Sequence, residues 1–175
     1  LLASLIQDMG LDVVHTREPG GTPLGERVRD ILLDPTADDL DGMTELMLCV
    51  ASRRHHVRTR ILPSLKADKP VICARYTASS VAYQGHARGV DLEAVRSLNT
   101  MATEKCIPDL TIFINLALAE ANKRVQERPI NADRLDSEPD DFKQKVVDAY
   151  LLAAAQEPES SFVVDGTDSL EVIHQ

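Results

Sequence analysis

A chain of 175 residues with 19 basic and 28 acidic side chains, net charge −9, lacks the broad positive field that holds nucleic acid or an anionic membrane surface. Hydrophobic content of 43% and charged content of 27% are those of a globular domain, and the length suits one domain with a substantial core. No run reaches membrane-spanning length and no leader pattern is visible. Cys49, Cys73 and Cys106 stand singly, without metal-ligand spacing, and read as core thiols in a reducing, cytoplasmic compartment.

The chain opens on Leu1 inside an apolar periodic pattern, so it is read as part of a longer chain, incomplete at both ends. Leu1, Leu2, Leu5, Ile6 and Met9 share one helical face, with Gly10 as C-cap. A buried strand is predicted over 11–15, followed by a Pro-Gly-Gly elbow. Thr22 then caps a helix with Pro23 at its first position, and Leu24, Val28, Ile31 and Leu32 form its inward stripe. After the acidic loop PTADDLDG, periodicity predicts a long helix over about Met43–Lys66. Strands at 70–74 and 110–115 bracket a helix at 91–105. ALAEANKRVQER reads as a helix, Pro139 opens another, a last strand covers 161–165, and the final residues start one more helix. Alternation of this kind implies a parallel sheet covered on both faces, with ligands at the carboxyl ends of the strands.

Those ends carry the chemistry. Arg17 and Glu18 precede the elbow, and Arg75 follows the second strand. TELMLCVASRRHHV sets Arg53 and Arg54 midway along the long helix, and ARYTASSVAYQG places Ser80, Tyr83 and Gln84 beyond Arg75. Converging arginines make a dianion site, and glutamine offers the paired donor and acceptor that a pyrimidine edge requires. TREPGGTPLGERVRDILLD, TELMLCVASRR, ARYTASSVAYQG, PDLTIFINL and ERPINADRLDSE, in this order, closely resemble bacterial thymidylate kinases over essentially the whole chain. The pairing of Arg-Glu-Pro-Gly-Gly with Ser-x-Ala-Tyr-Gln-Gly is the specific part; either alone is much weaker.

The resemblance implies a single three-layer α/β P-loop kinase domain over 1–175, with a small lid at about 124–138. It implies phosphoryl transfer from ATP, with Mg²⁺, to dTMP by a homodimer. By position, Glu18 lies near the sugar, Arg29 and Arg75 hold the acceptor phosphate, and Arg53 reaches the thymine edge. Ser80 and Gln84 fix the base, and Tyr83 packs where a 2′-hydroxyl would need room. Arg124, Arg128 and Arg134 close over ATP, and Arg75, Arg128 and Arg134 carry catalysis. It also implies a cis Glu18–Pro19 bond.

Three departures accompany it. No G-x-x-x-x-G-K-[ST] occurs, so the sheet is expected to lack its first, central strand, leaving 70–74 and 110–115 unpaired with each other. Ala74 stands where the family has an acid, and Cys49 where it has a stacking Phe. A rival reading is therefore a degenerate relative that binds nucleotide or a partner without transferring phosphate. Taken singly, Arg17–Glu18 reads as a solvated pair, Arg53 and Arg54 as a solvated face, Arg124 and Arg128 as balancing nearby acids, and His55 and His56 as surface residues.

Overall fold

The computed structural model describes residues 2–37, 39–127, 132–168 and 172–173. Helix α1 (Leu2–Asp8) leads to strand β1 (Val14–Arg17) and, past the elbow, to α2 (Pro23–Leu33). The Thr22 hydroxyl accepts from Gly25 N at 3.0 Å, so the predicted cap forms, with Pro23 opening the helix. A second cap starts α3 (Gly42–His56), where the Asp41 carboxylate accepts from Met43 N at 2.8 Å and Thr44 N at 3.0 Å. The helix continues through a π-helical stretch, Val57–Ile61, into α4 (Leu62–Lys66), so the predicted long helix is there with one widened turn.

Strand β2 (Val71–Ala74) is followed by α5 (Thr77–Ser80), which widens into a π-helical segment over Val81–Ala87. Then come α6 (Leu92–Thr103), β3 (Thr111–Asn115), α7 (Leu118–Glu127), α8 (Asp140–Gln156) and β4 (Ser161–Asp165). Asp91 caps α6 through Ala94 N at 2.8 Å, and Asp140 and Asp141 place negative charge at the start of α8. The closing helix expected after the last strand falls mainly on 169–171 and 174–175, outside the described residues.

The strands form two parallel pairs, β1 with β2 and β3 with β4, in registers Val14↔Val71 and Thr111↔Ser161. As expected, β2 and β3 share no ladder among the described residues. The first strand runs later than its apolar residues suggest. Val14 pairs with Val71 and Arg17 with Ala74, so the partner's length, not side-chain hydrophobicity, sets the span. Leu11, expected inside it, is exposed.

Coverage of the sheet is also less complete than predicted. In a parallel register, Ile112, Ile114 and Phe162 share one face, and all three are exposed. The opposite face carries Phe113, whose ring lies 6.0 Å from that of Tyr150 on α8. The main apolar cluster joins α8 to the π-helical segment: Phe142, Val146 and Ala149 bury against Ala82, with Tyr83 and Tyr150 packed beside them.

Helix α2 corrects a prediction. Leu24 and Ile31 are exposed, and the buried positions are Gly25 and Leu32, two turns apart. The cause is close approach: a Cβ at position 25 would sit 2.5 Å from Gly20 O and 3.0 Å from Ser52 Oγ. The helix therefore docks on its glycine face, where the backbones come nearest.

No helix among the described residues is long and apolar enough to cross a membrane.

Candidate functional site

The elbow after β1 separates the two charges that precede it. Alternation along the strand sends Arg17 outward, where its Nη2 meets Glu26 at 2.8 Å, and Glu18 inward, where it is 3% exposed. Glu26 also accepts from Gly21 N at 2.8 Å, so the first turn of α2 clamps the turn before it. The Arg17 guanidinium, then the Gly21 N–H, hold the Glu26 carboxyl below the usual range. The Glu18–Pro19 bond is cis, as the resemblance implied.

Gly21 is required on two grounds. Its φ is +75°, and a Cβ there would lie 2.4 Å from Thr16 Oγ1 and 2.8 Å from His56 Nε2. Gly21→Ala is expected to destabilise the fold by more than about 1 kcal/mol, read as a lower urea midpoint.

Behind the elbow lies a buried polar core. Glu18 Oε2 accepts from Arg53 Nε at 2.6 Å, and Glu18 Oε1 lies 2.9 Å from His56 Nδ1. His56 Nε2 in turn lies 2.7 Å from Thr16 Oγ1. His56 is fully buried, which corrects its reading as a surface residue; His55 beside it is half-buried. One helical turn separates positions 53 and 56, so both side chains face β1.

Arg53 is likewise no solvated residue. Its Nη1 donates to Ser80 Oγ at 3.0 Å and to Asn99 Oδ1, and its Nη2 donates to Tyr76 O at 3.0 Å. Arg54, by contrast, lies at the surface and pairs with Glu104.

A cleft opens in front of this core. Glu18, Arg53, Arg75, Ser80, Tyr83, Gln84 and Arg134 all line it, so seven of the sequence-selected residues converge from the end of β1, α3, the end of β2, α5, the π-helical segment and the 132–138 turn. Cys49 lines it too, and burial pushes its thiol up to about 11. Burial likewise raises Cys73 to about 12, so neither is a thiolate at neutral pH.

Arg75 sits at the carboxyl end of β2 with φ +68°, a left-handed conformation uncommon for arginine and concentrated at functional positions. Its guanidinium lies 5.2 Å from the centre of the Tyr83 ring. Arg29, from α2, donates to Pro19 O at 3.2 Å. Burial, then the positive charges of Arg17 and Arg75, hold Arg29 below its ordinary pKa. Glu26 and Asp133 act on Arg29 in the opposite sense.

Arg134 occupies a different place from Arg124. Its Nε donates to Leu32 O at 3.0 Å and its backbone N to Leu33 O at 3.2 Å, satisfying carbonyls at the end of α2. Its Nη1 reaches Glu45 at 2.8 Å. Arg124, on α7, is exposed and pairs with Glu120 one turn away, and Arg128 lies outside the described residues.

Glu45, which no local sequence signal singles out, is fully buried among Gln84, Arg88 and Arg134. Asn99 likewise reaches the site from α6, 46 residues beyond Arg53, whereas Tyr76 lies within ARYTASSVAYQG and meets the Arg53 guanidinium with its ring. Glu18, His56 and Cys73 bring three potential ligand atoms within 4.8 Å of one another, but the Glu18 and His56 atoms already share a bond and Cys73 Sγ donates to Arg75 O at 3.1 Å.

The chain is similar to known proteins over its whole length. The thymidylate kinase family profile matches residues 1–175. The thymidylate kinase of Exiguobacterium sibiricum is 41% identical over 171 residues, covering 98% of this chain and 80% of that protein. That of Pelotomaculum thermopropionicum is 39% identical over 174 residues, covering 99% and 81%. The crystal structure of thymidylate kinase from Ehrlichia chaffeensis superposes with a TM-score of 0.76 at 32% identity, covering 99% of this chain and 83% of that one. On sequence, fold and the joint placement of its motifs, the chain belongs to the thymidylate kinase family.

Proposed function

We propose that this protein phosphorylates dTMP to dTDP with ATP and Mg²⁺. The observation that carries the reading is the convergence of Arg53, Arg75, Tyr83 and Gln84 on one cavity at the carboxyl end of β2. Arg75 and Arg29 take the 5′-phosphate, Tyr83 lies along the sugar, and Ser80, Gln84 and Arg53 face the base. Glu18 acts one step back: both its oxygens are engaged inside the protein, so its part is to hold Arg53 in the cavity wall.

Phosphoryl transfer asks mainly for positioning and charge neutralisation, and these residues supply both on the acceptor side. Arg124, Arg128 and Arg134 are proposed to serve the donor side. For Arg134 this competes with the place it occupies against Glu45. The described residues do not offer a Mg²⁺ site. The end of β2 carries Ala74 rather than a carboxylate, and the buried Glu-His-Cys grouping is softer than this cation prefers.

The proposal extends to a cytoplasmic homodimer, supported by three unpaired cysteines and by exposed Met43 and Met47 one turn apart on α3. Sedimentation equilibrium tests the dimer.

The acceptor site is tested by Arg75→Ala. Truncation strips a charge-assisted fork from a dianion, and dTMP binding measured by calorimetry should be abolished. Equal affinity in parent and variant would place the phosphate elsewhere.

A further inference from the structure

We propose that Tyr150 is a positioning residue of the acceptor site: its ring holds Tyr83 in place as the wall beside the sugar, and so sets how strongly a ribose is refused. This role rests on the acceptor reading of the cavity given above. Tyr83 lines the cavity and Tyr150 does not, so Tyr150 meets Tyr83 from outside the cavity wall. The two rings pack in a T-shaped arrangement, with centres 6.4 Å apart and planes at 75°. Phe142, about two turns earlier on α8, meets Tyr83 at 6.2 Å. Two rings of one helix therefore support a residue that the π-helical segment carries. The Arg75 guanidinium lies over the Tyr83 ring, 5.2 Å from its centre, so the ring is bounded by three packed partners.

Tyr150 is itself fixed at two places. Its ring lies 6.0 Å from that of Phe113 on β3, and its hydroxyl donates to Ser79 Oγ at 2.8 Å. Burial raises the pKa of the Tyr150 phenol, so the hydroxyl stays protonated and remains a donor. Ser79, on α5, lines the cavity too. Through one side chain, α8 and β3 brace the short helix and the sugar wall together.

A wall refuses a hydroxyl only if it cannot give way. A ribose carries one oxygen more than a deoxyribose, at the carbon that Tyr83 is proposed to cover. A close-packed ring yields little, whereas a void in the place of Tyr150 would let Tyr83 retreat and admit that oxygen.

Calorimetry with dTMP and ribothymidine 5′-monophosphate on the parent, Tyr150→Leu and Tyr150→Phe tests this. The parent should prefer dTMP by about a hundredfold. In Tyr150→Leu the preference should fall below about tenfold, chiefly because the ribonucleotide binds more tightly. Tyr150→Phe gives up the bond to Ser79 but keeps the ring, and should hold the preference within about threefold of the parent's. A residue that only stabilised the fold would weaken both nucleotides together and leave their ratio alone.

A ratio unchanged in Tyr150→Leu, or one that falls as far in Tyr150→Phe as in Tyr150→Leu, would overturn the inference and leave the acceptor assignment standing. Should Tyr150→Leu fail to fold, Phe113→Leu withdraws the β3 ring on which Tyr150 packs. A preference at least about threefold below the parent's is then expected, and an unchanged one overturns the inference. A parent that binds neither nucleotide would overturn the acceptor assignment and this inference together.

Discussion

Replacing Arg53 with methionine should lower the unfolding free energy by about 3–5 kcal/mol, because it leaves Glu18 as a buried carboxylate without its cation. The guanidinium is 3% exposed and meets Glu18, Ser80, Asn99 and Tyr76 at once, so a single truncation strips partners from four residues. His56 stays on the other Glu18 oxygen and cannot replace a fixed guanidinium. Glu18→Gln should partly rescue Arg53→Met, since the orphaned charge disappears with it. Urea unfolding of the two single variants and the double variant measures the coupling directly. If the double variant loses the sum of the two single effects, the pair does not act as a unit.

The second large effect concerns turnover. Ala74 lies in the last rung of the β1–β2 ladder, opposite Arg17 and immediately before the left-handed Arg75. Ala74→Asp places a carboxylate at that strand end and should raise kcat by on the order of a hundredfold. KM for dTMP should hardly move, because the substitution leaves the contacts proposed for Arg29, Arg75 and Gln84 untouched. Cys49→Phe should act in the opposite sense. Position 49 lines the cavity, and a stacked ring is worth about 0.5–1.5 kcal/mol, so KM should fall roughly two- to tenfold with kcat nearly unchanged. Steady-state kinetics on the two variants checks both. A parent already as fast as Ala74→Asp would show that the methyl group is tolerated and the missing acid immaterial.

The features legible in the sequence and those hidden from it divide along a physical line. Local signals were legible. Thr22 and Pro23 announced the start of α2, periodicity found the long helix, and the motif segments identified the residues that line the cavity. Long-range pairing was not. His56 is adjacent to a residue that is only half-buried, and nothing in its neighbours says that Glu18 and Thr16, some 40 positions upstream, will enclose it. Glu45 looks like an ordinary first-turn acid of a helix. Its burial depends on Arg134, 89 residues away. The inward stripe of α2 was misplaced because apolar side chains signal burial and a close-packing glycine does not. Within ARYTASSVAYQG one short α-helical turn, Thr77–Ser80, gives way to turns wider than the 3.6-residue period that reveals helices.

That widened segment makes chain length itself part of the design. Within Val81–Ala87 the backbone closes turns such as Arg88 N to Tyr83 O at 2.9 Å, one residue more than an α-turn. The extra residue sets the rotational phase of the side chains beyond it. Ala82 faces the apolar cluster while Gln84 meets Glu45, and both orientations depend on where the surplus is absorbed. Deleting any one residue there would restore an ordinary α-turn and rotate its far side by about 100°. Base-facing and core-facing positions would then change places although every remaining side chain kept its chemistry. Substitutions in this stretch are graded perturbations, whereas a single-codon deletion is a change of frame in three dimensions.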